Sequence, residues 1–134
     1  MQLQAVASYD PDGDGQEHAE AVPNATDGNQ TTYWTTEGYR SPLTAIGKRG
    51  VGIVLDAGEW VQLSELTVVS DTPGFTLEIR TGADPEGPFE DLAGEPQTVE
   101  GETTFELDGA ESQYWLIWIT DLDGRAHINE VTAR

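Results

Sequence analysis

The segment Asn24-Ala25-Thr26-Asp27-Gly28-Asn29-Gln30-Thr31-Thr32-Tyr33-Trp34 is dense in oxygen donors. Calcium takes roughly six to eight hard oxygens from carboxylates, carbonyls and hydroxyls. A tight Asp27-Gly28-Asn29 turn aims several of these inward, and Gly28 permits the backbone angles such a turn needs. One carboxylate from elsewhere in the chain completes a cage. The same residues also read as a plain Asx-turn followed by a core tryptophan, and spacing alone leaves the two readings open.

A second acidic run lies upstream. Asp10, Asp12 and Asp14 with Gly15 match the first half of an EF-hand loop. The second half fails, because Ala21 stands where the bidentate glutamate is required and the flanks read as a strand and a turn. The expectation is a polar, glycine-rich loop whose carboxylates stay hydrated or cap neighbouring amides. A second, non-EF calcium site on Asp10, Asp14 and Glu17 is the alternative.

Nucleophilic and acid–base catalysis find no support. The two histidines, His18 and His127, sit in no metal-protease or hydrolase pattern. A Gly-x-Ser-x-Gly elbow and a phosphate-binding glycine loop are both absent from the sequence. Carboxylates are too abundant for any pair of them to signal catalysis. The chain reads as a non-enzyme.

The elements that must position these residues are strands. Runs at Leu3–Tyr9, Val51–Asp56, Val61–Ser70, Phe75–Thr81, Thr103–Leu107, Tyr114–Thr120 and His127–Thr132 are strand-like, and Phe89–Leu92 adds a short piece. Ala57-Gly58, Thr72-Pro73-Gly74, Asp84–Pro88, Asp108-Gly109 and Asp123-Gly124 punctuate them. The one helical turn, Glu17–Val22, is expected to close at Pro23. Many short strands without intervening helices define an antiparallel sandwich or barrel. Phe75, Leu77 and Ile79 alternate cleanly with Thr76, Glu78 and Arg80, whereas Val61–Ser70 gives a mixed face. Tyr114–Ile119 is apolar on both parities, so it is expected to be covered on both faces or to lie beneath a loop. Asp10–Gly50 carries almost no strand signal, and a connection that long is normally functional.

Composition bounds the rest. At 134 residues the chain is read as one domain, residues 1–134, with room for a real core. The formal net charge of −19 repels phosphate backbones and anionic membranes, which excludes nucleic acid as a partner; it favours cations and equally suits a salt-adapted source. The sequence has no cysteine, which removes disulfide scaffolds, zinc–thiolate sites and thiol catalysis. No run reaches the length of a membrane span, and the strand-like opening is not expected to be a secretory signal, so direct membrane insertion is not expected. The chain is expected to be a piece of a longer parent that carries any signal or anchor.

The stretch Ala25-x-Asp27-Gly28-Asn29-x-x-Thr32-x-Trp34 resembles the opening motif of discoidin domains, also called coagulation-factor type C domains. Galactose-binding-like and family 32 carbohydrate-binding modules are their relatives. Gly52–Gly58, Tyr114-Trp115-Leu116 and Ile128-Asn129-Glu130-Val131 resemble later strands of the family, in the right order. The resemblance implies an all-β, antiparallel jelly-roll sandwich of about eight strands. It also implies a structural calcium ion that ties the first loop to the last strand. Asp27 and Glu130 would give carboxylates, Thr32 its hydroxyl, and Asn24, Asn29 and Asn129 main-chain carbonyls. Ser8-Tyr9-Asp10-Pro11-x-Gly13-Asp14-Gly15-x-Glu17 further resembles extracytoplasmic C-terminal domains of actinobacterial membrane proteins, among them MviN-type lipid II flippase homologues and membrane serine/threonine kinases.

In such modules the ligand meets loops at one end of the sandwich. A sugar site needs an aromatic platform and a few polar groups. Trp34, Tyr39, Arg40, Trp60, Arg125 and His127 are the candidates. Each also has a structural reading: Trp34 as core, Tyr39 packed beneath the long loop, Trp60 as a lone exposed aromatic. The resemblance implies an extracytoplasmic, monomeric, non-catalytic module that recognises carbohydrate or cell-wall glycan. A structural or protein-interaction ectodomain without a small ligand is the alternative.

Overall fold

The alternating residues of the sequence sort into two layers. The computed structural model describes residues 3–12, 18–39, 43, 47, 49–122 and 124–134. Among these are β1 (Gln4–Tyr9), a 3-10 helix (Ala19–Thr26), β2 (Trp34–Thr35), β3 (Val51–Val69), β4 (Thr76–Gly82), β5 (Asp91–Thr98), β6 (Glu102–Asp121), β7 (His127–Ile128) and β8 (Glu130–Ala133). All strand pairs are antiparallel. One layer runs β1, first half of β3, second half of β6, β4, β5. The other runs β8, second half of β3, first half of β6. Ile53, Leu55, Leu77, Ile79, Trp115 and Ile117 from the first layer meet Leu66, Val68, Phe105, Leu107 and Val131 from the second in one core. Full burial of each such side chain contributes roughly 1.5–3 kcal/mol. The fold is an antiparallel jelly-roll sandwich.

Several expected boundaries move. The runs Val51–Asp56 and Val61–Ser70 are one strand, β3, because Ala57-Gly58 is a corner inside the ladder rather than a reversal; Gly58 takes φ 84°. Likewise Thr103–Leu107 and Tyr114–Thr120 merge into β6 across Asp108 (φ 52°) and Gly109 (φ 73°), two left-handed residues that bend the strand from one layer to the other. The mixed face of Val61–Ser70 also has a cause. A register shift falls between Leu63 and Glu65, and the N–H groups of Ser64 and Glu65 both donate to the Arg134 carbonyl. Leu63 and Leu66 are thereby both buried, although their parities differ.

β5 extends to Thr98, well past the expected Phe89–Leu92 piece, with Phe89 itself outside the strand. Pro96 is tolerated because β5 is the sheet edge. The 3-10 helix runs through Pro23 instead of closing there. Val22 and Ala25, one 3-10 turn apart, both bury against the core and carry the chain past the proline. The expected strand His127–Thr132 divides at Asn129, because β7 pairs with β2 and β8 with β3.

Candidate functional site

The 3-10 helix delivers the chain into the turn Asp27–Thr32. Its last residue, Thr26, docks on β1 by accepting the Ala5 N–H through its hydroxyl at 2.9 Å. Gly28, at φ 78°, supplies the left-handed residue of the turn. Asp27 accepts the Asn29 N–H at 2.9 Å and a short bond from the Thr32 hydroxyl, which also lies 3.0 Å from the Asn29 carbonyl oxygen. From the far end of the chain, Glu130 accepts the Gly28 N–H at 3.1 Å. Hydrogen bonds from Thr32 and Asn29 hold the Asp27 carboxyl below the usual carboxylate range. Burial pushes Glu130 above it; the Gly28 N–H opposes this and the neighbouring Asp27 charge adds to it. Two carboxylates, a hydroxyl and a carbonyl thus gather at one turn, a donor set suited to a hard cation.

The other residues of that set brace it. The Asn24 amide donates to the Tyr33 carbonyl at 3.2 Å. Asn129 is buried; its amide donates to the Gln30 carbonyl at 3.0 Å, and its side-chain oxygen accepts the Asp71 N–H at 3.1 Å. Asp10 is buried at the end of β1, while Asp14 and Glu17 lie outside the described residues.

The two ends of the chain are also zipped by backbone. Trp34 pairs with Ile128 and Thr35 with His127. Thr36 and Ala126 exchange bonds at 3.0 Å, the Thr36 hydroxyl accepting the Ala126 N–H. Tyr39 and Gly124 exchange two more. This buries Trp34 completely and Tyr39 nearly so, which removes both as ligand platforms: their rings belong to the core. Trp60 is 60% exposed, but it sits at the β3 corner, 3.5 Å from Glu111, nine residues along β3 from the Val69–Glu130 pair. Arg40 lies outside the described residues.

Two candidates do meet at the loop end. His127 contacts Asp71 at 2.7 Å, and its ring stacks on exposed Tyr33 with centroids 3.8 Å apart and planes 9° from parallel. Exposed Arg125 lines an adjoining cleft of about 250 Å³ with Thr72, Pro73, Gly74, Phe75 and Leu122. The sequence reading missed Tyr33 and Asp71. Tyr33 occupies an unassigned position of the motif, beside Trp34; Asp71 is made relevant only by the tertiary approach of residues 70–75 to β7.

A larger feature lies on the outer face of the first layer. Val54, Phe89, Leu116 and Trp118 form a second apolar cluster there, with Tyr9 packed against it. Tyr9 meets Phe89 edge-on at 5.2 Å and Trp118 at 5.6 Å. The Trp118 indole lies across Gly50; a Cβ there would sit 2.5 Å from the ring. Beside this cluster opens a groove of about 530 Å³, a volume ordinary for small-molecule sites. Arg80 donates from Nε to Glu78 at 2.9 Å and from Nη1 to the carbonyls of Phe89 and Glu90. Arg49 is paired bidentately with Asp12 at 3.0 and 3.1 Å. The doubly apolar run Tyr114–Ile119 foretold cover on this face; what covers it is the connection carrying Phe89.

No family model matches the chain. Solved structures do. A family 32 carbohydrate-binding module (CBM32-3) from a family 31 glycoside hydrolase of Clostridium perfringens superposes with a TM-score of 0.70 at 16% identity, over 98% of this chain and 90% of that one. The CBM32 of AlyQ, solved with 4,5-unsaturated mannuronic acid, gives 0.69 at 21% identity, over 100% and 98%. A GH29 fucosidase of Ruminococcus gnavus gives 0.66 at 18% identity; 98% of this chain is covered but only 24% of that one, so the chain spans about a quarter of that enzyme's length. The protein therefore has the galactose-binding-like jelly-roll fold of these modules. Among the described residues no helix is long and apolar enough to cross a membrane.

Proposed function

We propose that the chain is a non-catalytic carbohydrate-binding module of an extracytoplasmic protein, with a structural calcium ion at its loop end. The observation that carries the glycan reading is the exposed Tyr33 ring, backed by His127 and Asp71 beside Arg125. An aromatic face flanked by a donor and an acceptor is what a sugar ring and its hydroxyls require. Calcium would be held by the carboxylates of Asp27 and Glu130, the Thr32 hydroxyl and the carbonyls of Asn24, Asn29 and Asn129. Its charge would relieve the repulsion between Asp27 and Glu130. A glycan array probed with and without calcium tests this; binding should be lost in Tyr33→Ala.

A second reading, a protein-interaction ectodomain without a small ligand, is favoured by the burial of Trp34 and Tyr39. An array silent at every spot would select it.

A further inference from the structure

We propose that the groove on the outer face of the first layer is a second binding site, separate from the loop end, and that it takes a neutral oligosaccharide. The inference rests on the glycan reading above and adds a place and a ligand class. Three properties of the groove carry it.

First, its polar groups are fixed and still have capacity. Glu78 and Arg80 are two residues apart on β4, so they share a face. Glu78 is 7% exposed, and among the described residues one of its carboxylate oxygens accepts a bond, from Arg80 Nε, while the other accepts none. Arg80 Nη2 donates to nothing among the described residues. The Phe89 and Glu90 carbonyls and the Glu78 carboxylate immobilise the guanidinium, so little entropy is lost when a ligand meets it. Donor and acceptor capacity left unused among the described residues, on two groups of one strand face, matches a pair of neighbouring sugar hydroxyls.

Second, the same groove has an aromatic wall, in which half-buried Tyr9 is the more accessible ring and Phe89 and Trp118 are nearly buried. Phe89 and Trp118 form its wall with Tyr9. Sugar rings present C–H faces, which bind against such surfaces.

Third, its charge leans negative once Asp12 is included. Two arginines, Arg49 and Arg80, face two glutamates, Glu78 and Glu90, and Asp12 already neutralises Arg49. An acidic ligand would meet Glu78 and Glu90 in a protein of net charge −19. A neutral glycan meets no such penalty.

The test is NMR titration of the isotope-labelled protein with cellotetraose, mannotetraose and N-acetylchitotetraose, and with tetragalacturonate as the acidic counterpart. Saturable shifts of the Trp118 indole N–H and the Arg80 Nε–H are expected with a neutral tetraose. They should persist in Tyr33→Ala and weaken about tenfold or more in Thr120→Trp, which fills the groove. Glu90→Trp blocks it from the exposed rim should the first variant not fold. Tetragalacturonate should bind the groove about tenfold more weakly. Shifts confined to Tyr33, Arg125 and His127, or undiminished in both blocking variants, would overturn the groove while leaving the glycan reading standing. Preference of the groove for tetragalacturonate would overturn the neutral class. Silence at both sites would sink the groove and the glycan reading together.

Discussion

The loop end and the outer sheet face are held by different forces. At the loop end, Asp27–Thr32 hangs on side-chain bonds and on the Gly28–Glu130 and Gln30–Asn129 contacts across the chain ends. Its two carboxylates repel one another. On the sheet face, Glu78, Arg80, Leu116 and Trp118 stand on paired strands whose ladders fix each side chain every second residue. One surface is held by side-chain bonds and is where the proposed cation would add order; the other has its order from the backbone. That difference teaches where removal of an ion or addition of a methyl group should be felt.

The largest effect should come from the strand side. A Cβ at Gly52 would lie 1.8 Å from the Ile117 carbonyl oxygen, backbone against backbone, so β3 and β6 would have to part. Gly52→Ala should cost on the order of 4 kcal/mol or more, seen as loss of a cooperative melt or a fall in Tm of about 15 °C. A Tm near wild type would show that the ladder yields more easily than described.

Removing calcium comes next and should act on the loop end alone. At a calcium concentration about 100-fold above Kd, the ion adds about 2.7 kcal/mol, or about 10 °C in Tm, lost on adding EDTA. Asp27→Ala and Glu130→Ala should abolish this increment, while groove signals of Trp118 and Arg80 stay in place. An EDTA-insensitive melt of the wild type would remove the ion from the comparison.

A smaller effect sharpens the same point. Burial raises the Glu130 pKa on folding, so the folded state holds that proton more tightly than the unfolded chain. In EDTA, its contribution is full below the ordinary glutamate range and is lost as pH rises through the raised value. Glu130→Gln should remove this pH dependence in EDTA, keep an acceptor for the Gly28 N–H, and lose the response to calcium. A wild-type melt in EDTA that gains stability across that window would reverse the sign and defeat the argument.

The smallest effect is expected at Trp60. It is exposed and away from both surfaces, so Trp60→Ser should change stability by about 0.5 kcal/mol or less and leave glycan binding unchanged. Lost binding in that variant would move the ligand to the β3 corner.

The strands were legible because burial leaves a period in the sequence. Leu77 and Ile79 against Glu78 and Arg80 gave β4 almost to the residue, and the doubly apolar Tyr114–Ile119 announced a strand covered on both faces. Gly58 and Asp108-Gly109 misled, since the same residues that end a strand also bend one that continues. Pro96 hid the second half of β5, because nothing local says that a strand lies at an edge. Trp34 stood as a ligand candidate or as core, and the structure buries it; Trp60 stood as a ligand candidate or as a lone exposed aromatic, and it is exposed.

By itself the sequence determined the all-β class, the order of most strands and the oxygen-rich turn at Asp27–Thr32, since these depend on neighbours along the chain. Only the tertiary structure decided that Gly28 meets Glu130, that Tyr33 stacks on His127, and that Phe89 walls a groove floored by β4 and β6. Those contacts join residues that are distant in sequence, and their geometry is set by how two bent ribbons fold over a shared core. No local pattern of residue types encodes that distance.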